Sequence, residues 1–162
     1  MNKRPNAFQK SIHHILMLKW VSALLAVFLH HLDAIASKLS RGRHSVTEIV
    51  GLPVILLTTI GAKSCQPRTM PLVGLFDGEK IALIGSNFGR KTNPGWYYNL
   101  KANPACTAQV GDRTAEYVAR QVDDQEREKY WQMAVSYYAG YEKYRQRTAP
   151  RPIPVMLLEP VE

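Results

Sequence analysis

The sequence predicts an α+β fold that is mainly antiparallel β, a barrel or sandwich with helices at its flanks. Three observations carry this. From Pro53 onward the chain runs in short stretches rich in β-formers, separated by turn residues at close spacing. Asp77-Gly78 sits between two such stretches and suits the two-residue turn of a hairpin. The composition is that of one folded domain: 162 residues, 46% hydrophobic and 21% charged, with Gly 10 and Pro 10. Collagen-like, disordered and low-complexity classes are excluded.

Residues 1–50 read as an N-terminal helix and linker, and residues 51–162 as the β domain. The first part carries seven Lys/Arg and two Asp/Glu, so +5 of the net +8 sits there. Its apolar stretch Ile15 to Leu29 continues through Leu32, Ile35, Ala36 and Leu39, the pattern of a long helix. Lys19 and Asp33 leave too short an apolar run for a membrane span. As a secretory signal, the segment is interrupted by His30, His31 and Asp33 ahead of Ala34-Ile35-Ala36. An amphipathic helix fits better, with basic flanks Lys3, Arg4, Lys10 and Lys38, Arg41, Arg43. It either packs on the domain behind it or lies on an anionic membrane surface.

In the β domain, Val54 to Ile60 is an apolar and Thr run expected to be a buried strand ending at Gly61. Arg68 to Phe76 forms the next strand, and Pro71 within it demands an edge or a bulge because proline cannot donate to a ladder. Lys80 to Gly85 closes the hairpin around Asp77-Gly78. After a polar loop, Pro94 starts a short helix over Gly95 to Ala102, closed before Pro104. Ala105 to Val110 and Thr114 to Val122 pair around Gly111-Asp112-Arg113. Asp123, with Glu126 three residues on, resembles a capping box and opens a helix to about Ala139. Ile153 to Glu159 is the last strand.

The net charge of +8 points toward anionic partners: nucleic acid, an acidic membrane surface or a phosphorylated cofactor. Cys65 and Cys106 belong to no C-x-x-C pair, so either one disulfide or two free thiols in a reducing cytosol is expected. All five histidines fall in the first 50 residues, without metal-ligand spacing. Two clusters could carry chemistry. The turn Gly61 to Arg68 sets Lys63, Ser64, Gln66 and Arg68 beside backbone N–H groups, a nest for phosphate or carboxylate or simply a solvated basic turn. It lacks Walker A spacing. The segment Ser86 to Pro104 combines Arg90, Lys91 and Lys101 with Trp96, Tyr97, Tyr98, Asn93 and Asn99, which suits a flat aromatic ligand with an anionic tail. Single-stranded nucleic acid is disfavoured, because the aromatics gather in a short helix instead of alternating on a sheet face. No G-x-S-x-G, Cys–His pair or apolar carboxylate pair is present, so an enzyme here depends on a cofactor.

Four segments, Leu56 to Leu72, Asn93 to Pro104, Asp123 to Trp131 and Tyr138 to Pro160, resemble in order the deazaflavin-dependent nitroreductase family of actinobacterial split-barrel proteins. The resemblance implies a split β-barrel related to flavin reductases and FMN-binding proteins, with coenzyme F420 bound and FMN as the alternative cofactor. It implies that Lys63, Ser64, Gln66 and Arg68 meet the phosphate and oligoglutamate tail, with Thr69, Met70 and Pro71 along the ring edge. Ser86 and Asn87 would approach the cofactor, Gly95, Trp96, Tyr97 and Asn99 would hold the deazaflavin head, and Lys101 would add charge. Tyr138, Tyr141 and Tyr144 match tyrosines lining the substrate side, with Tyr141 also near the cofactor. Cys65 stands where the family usually has Gly, Asn87 replaces a frequent Lys, and Val73 a frequent aromatic.

The activity implied is hydride transfer from reduced F420 to a quinone, an activated alkene or a nitro compound. Ser86, Tyr138, Tyr141, Tyr144 or water would supply the proton. The rival readings are an FMN reductase of the same fold and a non-catalytic, membrane-associated deazaflavin carrier. No metal or nucleic acid is expected. The location expected is cytoplasmic, with a peripheral contact to the inner face of the membrane left open.

Overall fold

The computed structural model describes residues 52–161, and the expected N-terminal helix and its linker therefore lie outside the described residues. Seven strands and three α-helices follow one another: β1 (Val54–Ile60), β2 (Pro67–Val73), β3 (Leu75–Asp77), β4 (Lys80–Ile84), α1 (Gly95–Ala102), β5 (Ala105–Val110), β6 (Arg113–Gln121), α2 (Asp124–Tyr137), α3 (Gly140–Thr148) and β7 (Val155–Pro160). A 3-10 turn, Asn87–Gly89, precedes α1. The strands form one antiparallel sheet in the order β2-β1-β5-β6-β7-β4-β3.

The expected strand Arg68 to Phe76 is in fact two strands on opposite edges of this sheet, joined by Gly74 alone. One residue cannot bridge a flat seven-stranded sheet, so the sheet curls until its edges meet. Gly74 is the corner. A Cβ there would come within 2.9 Å of both Ile55 Cγ2 and Ile81 Cγ2. Pro71 sits on the edge strand β2, opposite Leu56, as its missing N–H requires.

Alternation along the strands builds two cores. Ile81 and Leu83 of β4, with Met156 and Leu158 of β7, join Ile55, Leu57, Trp96 and Leu100 in one. Ala82 and Ile84, with Val155 and Leu157, face the other way into a second core under α2 and α3. Asp123 caps α2 by accepting the Glu126 N–H at 2.8 Å. The reciprocal half of the expected box is missing, because the Glu126 carboxylate is turned to Arg120. The expected helix to Ala139 stops at Tyr137, and a separate α3 starts at Gly140. Tyr138 leaves the helix in extended conformation and lays its ring over Gly140, where a Cβ would fall 2.2 Å from it.

Candidate functional site

A cleft of about 370 Å³ is lined by Gly61, Ala62, Lys63, Ser64 and Arg68 on one side and Gly95, Tyr98 and Asn99 on the other. It joins the basic turn after β1 to the first turns of α1. The turn closes on itself through Gly61 N–H to the Gln66 carbonyl and Cys65 N–H to the Gly61 carbonyl, each 2.9 Å. Ser64 Oγ accepts from Gln66 N–H and from Arg68 Nη2, each at 3.4 Å, so the hydroxyl ties the guanidinium to the turn. A Cβ at Gly61 would strike that hydroxyl at 2.5 Å. Cys65 adopts φ 52°, the left-handed region, which explains why glycine suits its position.

Asn99 locks the two sides together. Its Oδ1 accepts the Ala62 N–H and its Nδ2 donates to Thr59 Oγ1, both at 3.0 Å. Both ends of the amide are thus spent inside the protein, so Asn99 shapes the cleft. On α1, Gly95, Tyr98 and Asn99 fall at i, i+3 and i+4 on the cleft side, while Trp96 and Leu100 are buried in the barrel core. Pro94 gives the helix no side-chain cap; Tyr97 N–H turns back to the Pro94 carbonyl at 3.2 Å, and the Gly95 and Trp96 N–H groups are left to an outside acceptor. Gly95 has open space where a Cβ would stand.

Of the residues expected at the cofactor, the cleft gathers Lys63, Ser64, Arg68, Gly95 and Asn99. The others lie elsewhere. Gln66 is exposed at the end of the turn, and Lys101 is exposed in the last turn of α1. Thr69 pairs its hydroxyl with that of Thr58 at 2.8 Å, Met70 packs against the barrel core, and Pro71 stands on β2. Trp96 is a core residue, and Tyr97 donates to Gln121 Oε1 at 2.9 Å. Asn87 holds its own loop by donating to the Thr92 carbonyl at 3.0 Å. Ser86 is buried ahead of the 3-10 turn.

Tyr138, Tyr141 and Tyr144 form an aromatic cluster with centroids 5.8 to 6.1 Å apart, all three buried, with Trp131 against Tyr141. The cluster abuts the 3-10 turn, since a Cβ at Gly89 would stand 3.2 Å from Tyr144 Cδ1. Burial raises the pKa of Tyr138 and of Tyr141 far above the ordinary tyrosine value, so both phenols stay protonated at neutral pH. Tyr98 was named in the aromatic cluster of 86–104 but not among the cofactor residues that the resemblance implies, which include Tyr97 instead. Helical spacing from Gly95 was the signal that separates them. Cys65 and Cys106 are both free thiols, Cys65 exposed and Cys106 buried, where desolvation pushes its pKa up to about 11.

Among the described residues, no carboxylate lies within ion-pair distance of Lys63 or Arg68. Two cations without a carboxylate partner and a helix start without a side-chain cap make a receptor for an elongated anion, and the open space at Gly95 leaves room for a flat ring beside it. These features fit a deazaflavin with a phosphorylated, carboxylate-rich tail.

The structure of an F420-H2 dependent reductase, FDR-A, matches at 39% identity and TM-score 0.62, covering 66% of this chain and 94% of its own. HutZ, a heme storage protein of Vibrio cholerae, matches at 14% identity and TM-score 0.53, which shows the split-barrel fold alone. An F420H(2)-dependent quinone reductase of Mycobacterium tuberculosis is 40% identical over 109 residues, 65% of this chain and 72% of the relative. The family model for F420H(2)-dependent quinone reductases matches residues 33–160, and so takes in residues 33–50 as well as the barrel. The chain belongs to the F420H(2)-dependent quinone reductase family, a family of F420-dependent oxidoreductases.

Proposed function

We propose that this chain reduces a quinone with F420H2 held in the cleft between the Gly61–Arg68 turn and α1. The observation that carries the reading is the meeting of two distant sequence segments, 61–68 and 95–99, in one cleft whose cations have no carboxylate partner among the described residues. Bound there, F420H2 supplies a hydride, and with one proton a quinone becomes a quinol. Lys63 and Arg68 hold the anionic phosphate and carboxylates, and Ser64 keeps Arg68 in register with the turn. Gly95 leaves room for the ring, and the first N–H groups of α1 donate to its acceptors. Gln66, Thr69, Met70, Pro71 and Lys101 border this cleft in sequence and extend its contacts along the turn, β2 and α1.

Ser86, Tyr138, Tyr141 and Tyr144 are proposed on the acceptor side, near the 3-10 turn that follows Ser86. The phenols of Tyr138 and Tyr141 stay protonated and so can donate a hydrogen bond to the quinone oxygen. FMN, the alternative cofactor, finds no support in these comparisons, whereas the family name carries F420 and a quinone. The test is anaerobic oxidation of F420H2 by a water-soluble naphthoquinone. Steady turnover by the wild type, lost at least tenfold in Gly95→Leu with folding intact, is expected. Full activity of Gly95→Leu would move the reaction out of this cleft.

Among the described residues no helix is long and apolar enough to cross a membrane. Peripheral contact is proposed from the apolar run Ile15 to Leu29 and its basic flanks alone. Sedimentation with anionic vesicles should fall when residues 1–40 are deleted; unchanged sedimentation would remove the proposal.

A further inference from the structure

Arg151 lies between α3 and β7, in none of the site segments singled out above. Its guanidinium forks over four oxygens. Nη2 donates to the Arg90 carbonyl at 2.8 Å and the Ser86 carbonyl at 3.4 Å, while Nη1 donates to Asn93 Oδ1 and to the Pro152 carbonyl at 3.4 Å. Three of the four acceptors belong to the loop between β4 and α1. No carboxylate pairs with Arg151 among the described residues, and its Nε is buried without an acceptor. Burial lowers its pKa, and the Tyr98 phenol at the cleft acts on its charge in the opposite direction. A half-buried cation with its Nε shut off from water and no counter-ion among the described residues is unfavourable unless its hydrogen bonds are needed where they stand. Here they converge on one loop. That loop carries Ser86 and Asn87 and runs through Pro94 into α1, whose Gly95, Tyr98 and Asn99 line the cleft.

We propose that Arg151 is a positioning residue for the cleft: its fork fixes the loop 86–94 and, through it, the start of α1. The proposal rests on the F420 reading only for what the cleft holds. A lysine keeps the charge but cannot span these acceptors, so Arg151→Lys should behave like Arg151→Met. The test measures both variants of the full chain by backbone amide exchange without cofactor, by thermal unfolding and by titration with F420. Expected are at least tenfold faster exchange within 86–94, unchanged exchange in β1, β5 and β6, and an F420 Kd raised about tenfold.

Unchanged loop exchange overturns the proposal. So does protection lost evenly over all strands, which would make Arg151 a general support of the fold. Wild-type loop protection and affinity in Arg151→Lys overturn it too, because charge alone would then suffice. A wild type that fails to bind F420 overturns the functional reading instead, and loop exchange then decides the role of Arg151 by itself.

Discussion

Two charged regions of this molecule treat their cations in opposite ways. Around the β3–β4 hairpin and the start of α2, Lys80 and Arg120 both hold Glu159, Arg120 also holds Glu126, and Lys129 holds Asp77. At the cleft, Lys63 and Arg68 have no such partner among the described residues, and between Leu52 and Gly111 the sequence offers only Asp77 and Glu79 as acids. The first region neutralises itself and ties α2 to the barrel. The second leaves its charge without an acid among the described residues, which is how a binding site differs from a structural network.

The largest expected effect breaks the comparison from the cleft side. Lys63→Ala combined with Arg68→Ala should raise the F420 Kd about 100-fold, tenfold for each lost charge-assisted contact, while the melting temperature stays put. Arg120→Ala should do the reverse, lowering the melting temperature without changing affinity. A parallel loss of stability in the cleft double variant would mean that its cations are structural after all.

Next comes Asn99→Ala, which removes the link between the two walls. It strands the buried Thr59 hydroxyl and the Ala62 N–H, so it should cost roughly 1–3 kcal/mol of stability and about tenfold in affinity together. Calorimetry with the F420 titration checks both.

The paired region also has a pH signature. The Lys129 hydrogen bond, with Tyr130 behind it, holds the Asp77 pKa below its ordinary value of 3.8, and Lys80 does the same for Glu159, whose ordinary value is 4.5. A carboxylate with a lowered folded-state pKa adds stability that is complete above its unfolded pKa and is lost as pH falls through the folded one. Acid unfolding should therefore begin as pH drops below about 4, and Asp77→Asn should remove part of that dependence. The smallest effect is expected at Cys65. Replacing it by glycine relieves a side chain at φ 52° and should stabilise the turn by about 1 kcal/mol, whereas Cys65→Ala should not.

How far the sequence could be read follows the same division between local and distant information. The Asp77-Gly78 hairpin, the start and end of α1, and the Asp123 cap are written within a few residues, and all were legible. The split at Gly74 was not, since an unbroken β-run from Arg68 to Phe76 says nothing of the sheet closing around Ile55 and Ile81. The expected helix end near Ala139 lies close to the observed end at Tyr137, but α3 was missed, since no helix was expected over Gly140–Thr148. At the site, charge and turn chemistry pointed to Lys63, Ser64 and Arg68. The choice of Tyr98 over Tyr97 needed the helix to be phased on Gly95, and Arg151 needed the tertiary fold, because its acceptors lie 58 or more residues away except for Pro152.

The central claim is that the cleft is a deazaflavin site built on cations that have no acidic partner among the described residues. Its most direct test is a fluorescence titration of the wild-type chain with oxidised F420, repeated with FMN and at rising salt. The account predicts saturable binding of F420, stronger than that of FMN and weakening as salt screens Lys63 and Arg68. Equal affinity for FMN, or F420 binding indifferent to salt, would contradict it.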